Sequence, residues 1–86
     1  MRELRLDPNA LEDLQWWLQN DRRTAAKVLD LMQEACRTPT SGRGKPERLR
    51  FDLAGCWSRR INLEHRLVYE VADTYFRVLA CRFHYR

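Results

Sequence analysis

Glu47 is the one carboxylate between Arg43 and Arg50, a stretch that also holds Lys45 and Arg48, and Arg59, Arg60, His65 and Arg66 follow soon after. An acid set among so many cations ionises readily and comes close to any phosphate those cations attract. Phosphodiester cleavage in RNA uses such a set, because RNA carries its own nucleophile, the 2′-OH. A base must take the 2′-OH proton, cations must bear the charge that gathers on phosphorus, and an acid must protonate the departing 5′-oxygen. That chemistry requires no metal and no cofactor, and none is expected.

Glu47 is the candidate base, with Arg66 and Arg60 as the phosphate clamp and Lys45, Arg50 and Arg59 as further cations for RNA. His84 is the candidate acid, since a histidine with an ordinary pKa of about 6.5 can donate a proton near neutrality. Each residue has a plainer reading as well. Glu47 could be a surface ion-pair partner, the arginines solvated strand positions, and His84 a residue near a chain end. Spacing alone favours the plainer readings.

The elements that must position these residues can be read from periodicity. Arg2 to Leu6 alternates polar and apolar, with Leu4 and Leu6 on one face, and predicts a short strand. Asp7-Pro8 opens a helix, Asp7 as N-cap and Pro8 at the first helical position. Leu11, Leu14 and Leu18 form its expected inward stripe with Trp17 at the edge, and Trp16 and Trp17 are read as core rather than a base-stacking platform. A second helix starts near Asp21 and runs to about Cys36, with Ala25, Val28, Leu29, Met32 and Ala35 or Cys36 facing in, and ends before Thr38-Pro39. The short link makes the helices an antiparallel hairpin.

The segment TPTSGRGKP is a loop. Strands are expected at about Arg48 to Phe51, Cys56 to Ile61, Arg66 to Ala72 and Tyr75 to Phe83, the last two joined at Ala72-Asp73-Thr74. Alternation groups Trp57, Arg59 and Ile61 on one face against Ser58 and Arg60, and groups Phe76, Val78, Ala80, Arg82 and His84 in the last strand. One strand, a helical hairpin and four more strands predict an α+β fold, with both helices on one face of a mostly antiparallel sheet. The opposite face, carrying Arg60, Arg66, Arg82 and His84, is expected to stand open.

Eighty-six residues suit a single domain spanning 1–86. The net charge of +4 is uneven: residues 1–36 hold five basic and seven acidic side chains, residues 37–86 eleven and five. Fourteen of the sixteen cations are arginine, whose planar fork pairs bidentately with phosphate. Arginine excess can also reflect genomic base composition, but the local clustering favours a polyanion partner. Three distant cysteines without C-x-x-C or Cys/His spacing speak against a disulfide framework or zinc site. With no signal-peptide pattern and no run of apolar residues long enough to span a bilayer, a cytoplasmic protein without membrane contact is expected.

Four runs carry a resemblance: GKPE at 44–47, GCWSRRI at 55–61, EHRLVY at 64–69 and CRFHY at 81–85. In order and separation they resemble the YoeB/Txe toxins of the RelE superfamily, over almost the whole chain. The resemblance implies a microbial-ribonuclease-like fold and a ribosome-dependent endoribonuclease that cuts mRNA in the decoding site. It places the catalytic groups on Glu47, Arg66 and His84, with Arg60, Tyr85 and Lys45 holding RNA. It implies a cognate YefM/Axe-like antitoxin, a tendency to homodimerise, and repression of the operator DNA only as the toxin-antitoxin complex. Departures from the family pattern are Arg48 for a proline after Glu47, Phe83 for a common tyrosine, and Arg86 beyond the usual terminal tyrosine. A ParE-like gyrase inhibitor would share the fold, although retention of Glu47, Arg66 and His84 argues against it. A non-catalytic basic module would bind RNA more tightly after Glu47→Gln and have no activity to lose.

Overall fold

The computed structural model describes residues 2–50, 53 and 55–83. Strand β1 (Glu3–Leu6) is followed by helices α1 (Pro8–Asn20) and α2 (Arg22–Arg37). Strands β2 (Glu47–Arg48), β3 (Cys56–Arg60), β4 (Arg66–Val71) and β5 (Tyr75–Ala80) complete the order. They form one sheet ordered β1-β5-β4-β3-β2, in which β1 runs parallel to β5 and the other pairs are antiparallel. The expected α+β architecture is what the chain adopts, with the two helices packed on one face.

Asp21 makes the helical hairpin tight. Its backbone N–H closes α1 on the Trp17 carbonyl at 2.7 Å, while its carboxylate opens α2 by accepting from the Thr24 N–H at 3.1 Å and the Thr24 hydroxyl at 2.7 Å. Asp7 holds the N-cap position of α1 without a side-chain cap bond, and its carboxylate stands 3.8 Å from Arg77.

The inward stripe of α1 differs from the expected one. Ala10, Asp13, Leu14 and Trp17 are buried, whereas Leu11 and Leu18 are each nearly half exposed. In α2, Leu31 replaces the expected Leu29 among the buried positions. These helical residues pack on Ile61, Leu67, Tyr69, Phe76, Val78 and Cys81 of the sheet, and Trp16 lies against the same core.

Asp13 is buried because it is paired: its Oδ2 accepts the Cys81 N–H at 3.0 Å. Trp17 Nε1 donates to the Cys81 carbonyl at 2.7 Å. Side chains of α1 therefore take both backbone polar groups of Cys81, and β5 ends at Ala80 instead of continuing to Phe83. A second irregularity precedes it. Val68 pairs with Ala80 and Tyr69 with Val78, which leaves Leu79 without a register partner. This one-residue shift breaks the alternation, so Phe76 and Val78 join the helix-side core while Ala80 joins Val68 on the other face.

That other face is not bare. Leu49, Cys56, Val68 and Ala80 are buried there with Leu53 and Leu79 packed against them. Among the described residues, what stays open is the end of the face where β3 finishes and β4 begins, with Arg60 exposed and Arg66 half-buried. β1, the short strand expected from Arg2 to Leu6, is an edge strand whose Leu4 and Leu6 are 45% and 36% exposed. Cys36, Cys56 and Cys81 are free and buried.

Candidate active site

Residues directly opposed in an antiparallel pair project from the same face. Glu47 opposes Ser58, Ser58 opposes Val68, and Val68 opposes Ala80, so Glu47 shares the face turned away from the helices. Arg60, two residues beyond Ser58, opposes Arg66 on that face. Glu47 and Arg66 are thus two strands apart and offset by two residues. At about 4.8 Å between strands and about 3.3 Å per residue their Cα atoms lie about 12 Å apart. A glutamate and an arginine can close that gap around one phosphate.

Lys45 joins the same end. The Gly44 carbonyl accepts the Arg60 N–H at 2.6 Å, which docks the loop on β3. Gly44 has φ of 84°, and an added Cβ would stand 2.9 Å from the Arg60 carbonyl oxygen, so the close approach requires glycine. A groove of about 540 Å³ opens between this loop, the end of β3 and α2, lined by Lys27, Arg43, Lys45 and Arg60 with Leu31 and Leu63. Its charge suits a phosphate backbone. Arg50 is exposed but lies past the opposite end of β2, away from Arg60 and Arg66.

Arg66 is held by the turn that precedes it. Its Nη1 donates to the carbonyls of Asn62 at 2.9 Å and His65 at 3.1 Å, which fixes the guanidinium while committing one of its nitrogens. Its backbone N–H donates to the Phe83 carbonyl at 3.0 Å. The Phe83 N–H in turn donates to His65 Nδ1 at 2.7 Å, so that nitrogen carries no proton and Nε2 does. The His65 ring meets Trp17 edge-on at 4.8 Å between centroids and tilts against Phe83 at 5.4 Å. Sequence reasoning counted His65 only as one more cation. The structure uses it as an acceptor that anchors the backbone one residue before His84. His84 and Tyr85 themselves lie outside the described residues.

Two arginines are placed otherwise than expected. Arg82 was to join Arg60 and Arg66, but its guanidinium lies 3.7 Å over the Trp16 ring on α1 and 4.5 Å from the Phe83 ring. The end of β5 at Ala80 turns it that way. Arg59, expected among the cations for RNA, has a fully buried side chain on the helix side. Strand alternation requires this, since Ser58 and Arg60 occupy the opposite face. Its partners lie within the protein: Glu34, the Tyr69 hydroxyl, and carbonyls of the loop after α2. Hydrogen bonds from the Arg43 side chain and backbone N–H, with a further one from Arg59, hold the Glu34 carboxyl below its usual range. Among the described residues no group of three His, Cys, Asp or Glu is arranged to hold a metal ion.

A family model described as the YoeB-like toxin of bacterial type II toxin-antitoxin systems matches residues 6–85. The chain is 49% identical over 85 residues to "Toxin RelK" of Mycobacterium tuberculosis, covering 99% of this chain and all of that protein. Its structure is similar to that of a YoeB/ParE toxin from Agrobacterium tumefaciens, with a TM-score of 0.92 at 44% identity, covering 96% of this chain and 99% of that one. It is also similar to the toxin in a YoeB-YefM complex from Staphylococcus aureus, with a TM-score of 0.86 at 38% identity and 99% of each chain covered. A YoeB dimer from the same organism gives a TM-score of 0.88 at 40% identity, covering 98% of both chains.

Proposed function

The chain belongs to the YoeB-like toxins of bacterial type II toxin-antitoxin systems, and on that footing we propose that it is an endoribonuclease that cuts mRNA on the ribosome and so halts translation. The observation that carries this reading is the shared face and adjacent rows of Glu47, Arg60 and Arg66. Glu47 takes the proton of the 2′-OH as the 2′-oxygen attacks phosphorus. Arg66 and Arg60, with Lys45, bear the charge on the phosphoryl oxygens. The bond from phosphorus to the 5′-oxygen breaks as His84 protonates that oxygen, leaving a 2′,3′-cyclic phosphate and a 5′-hydroxyl. Tyr85 holds or stacks on the RNA.

Dependence on the ribosome follows from what the described face offers. It presents cations for a phosphate and no pocket shaped to a base, so the decoding centre must bend the mRNA into line for attack, an orientation effect. The S. aureus relatives form a complex with YefM and a dimer. For this chain we extend the same habits: a YefM/Axe-like antitoxin, a homodimer, and operator DNA bound only as the toxin-antitoxin complex. No helix among the described residues is long and apolar enough to cross a membrane, and a ribosomal substrate places the work in the cytoplasm.

The test is to map mRNA 5′ ends on programmed ribosomes with and without the protein, beside the same RNA without ribosomes. New ends at the decoding site, with much slower cutting of naked RNA, are expected. Equal rates on both would remove the ribosome from the account, and no cutting on either would overturn the reading.

A further inference from the structure

We infer that Arg59 is a positioning residue, which holds the loop delivering Lys45 and Glu47 and makes no contact with RNA. The functional half of this inference rests on the ribonuclease reading above. The guanidinium uses every nitrogen. Nε donates to the Tyr69 hydroxyl at 3.1 Å, Nη1 to Glu34 Oε2 at 2.7 Å and to the Arg43 carbonyl at 3.2 Å, and Nη2 to the carbonyls of Ser41 at 2.7 Å and Thr38. The Tyr69 hydroxyl donates onward to the Pro39 carbonyl at 2.6 Å. Burial pushes that hydroxyl's pKa up, which keeps its proton in place.

One arginine and one tyrosine therefore engage the carbonyls of Thr38, Pro39, Ser41 and Arg43, in a stretch that belongs to no helix or sheet ladder. Glu34 completes the clasp from α2 by accepting the Arg43 N–H at 2.6 Å and Arg43 Nε at 2.9 Å. The next residue, Gly44, is docked by the backbone of Arg60. Only Lys45 and Pro46 then separate this fixed point from Glu47. The loop is gripped from inside by Arg59 and along its end by β3, and its position sets where the candidate base stands. Lysine cannot substitute, because a point charge on a flexible stem does not present five donors in a planar fork.

The experiment compares Arg59→Lys with Arg60→Ala. The readouts are kcat and KM on programmed ribosomes, amide hydrogen exchange over residues 38–47, and antitoxin binding as a check on folding. Arg59→Lys is expected to lower kcat at least about tenfold through misplacement of the base, with KM within about twofold and faster exchange in the loop. Arg60→Ala is expected to raise KM and leave loop exchange unchanged. Arg59→Lys overturns the inference if it raises KM with loop exchange unaltered, as an RNA contact would, or if it retains full kcat.

If Arg59→Lys does not fold, Glu34→Gln gives the second reading, with faster loop exchange and a smaller loss of kcat expected. Unchanged exchange and kcat in that variant would also overturn the inference. If the parent protein cuts no RNA, the ribonuclease reading falls, but the exchange data still decide whether Arg59 holds the loop. Faster exchange confined to 38–47 supports it and unaltered exchange refutes it.

Discussion

Arg59 and Arg60 are neighbours in β3, yet Arg59 is fully buried with all three nitrogens bonded inside the protein, whereas Arg60 is exposed at the rim of a cationic groove. Strand alternation sends one charge inward, where it must be met by a carboxylate and carbonyls. It sends the other outward, where a ligand can meet it. The same contrast separates the two faces of the sheet. The helix side spends its polar groups on each other, as Asp13 and Trp17 do on Cys81, while the open end presents Glu47 and Arg60 toward solvent with Arg66 half-buried beside Arg60. Residue type alone does not distinguish a buried arginine from an exposed one; the face does.

Replacements on the open face should strike activity and spare the fold. Glu47→Ala, Arg66→Ala and His84→Ala are each expected to slow cutting of ribosome-bound mRNA on the order of 100-fold or more, with the melting temperature nearly unchanged. Cutting within a few-fold of the parent in all three would break the assignment. The inner face should behave the other way. Arg59→Met leaves the carbonyls of Thr38, Ser41 and Arg43 without their donor, while Glu34 keeps Arg43, and should lower stability by about 3 kcal/mol in urea titrations. Arg60→Met should fall within about 0.5 kcal/mol of the parent. Equal losses from the two arginines would erase the distinction between the faces.

How far the sequence carried these conclusions depends on which rule governs each residue. The helical hairpin was legible because Asp21 is a strong cap and the apolar spacing of α2 is regular. The β3 and β4 strands were legible because alternation there is unbroken, and it was alternation that grouped Arg59 with Ile61 and apart from Arg60. The expectation that Arg59 meets RNA set that pattern aside for the sake of local charge. Asp13 was not legible as a core residue, since no periodicity of apolar residues marks a carboxylate whose partner is an N–H 68 positions away. The shift at Leu79 was invisible for a similar reason, because a bulge depends on the register of the neighbouring strand. His65 was hidden by its neighbours, reading as one cation among arginines until its bond to the Phe83 N–H was seen.

Asp13→Ala sharpens the inner half of the comparison. It leaves the buried Cys81 N–H without its carboxylate, and a loss of about 1–3 kcal/mol is expected. A change near zero would mean that the end of β5 does not depend on α1.

The smallest expected effect is the acid dependence of the clasp. Glu34 is held below its ordinary value of 4.5 by Arg43 first and then by Arg59. A carboxyl depressed in the folded state contributes its full stabilisation above the unfolded value and loses it as the pH falls through the folded value. Urea midpoints should therefore be level in this respect above about pH 5 and decline below it, and Glu34→Gln should flatten part of that decline. An identical acid profile in Glu34→Gln would show that the pair adds nothing.

The central claim, that the open face directs a 2′-OH against its neighbouring phosphate, is tested most directly on programmed ribosomes carrying an mRNA with a single 2′-O-methyl group at the mapped cut. The account predicts that this mRNA stays whole at that position, while the unmodified mRNA is cut to a 2′,3′-cyclic phosphate and a 5′-hydroxyl. Cutting of the methylated mRNA at the same position and rate would contradict it.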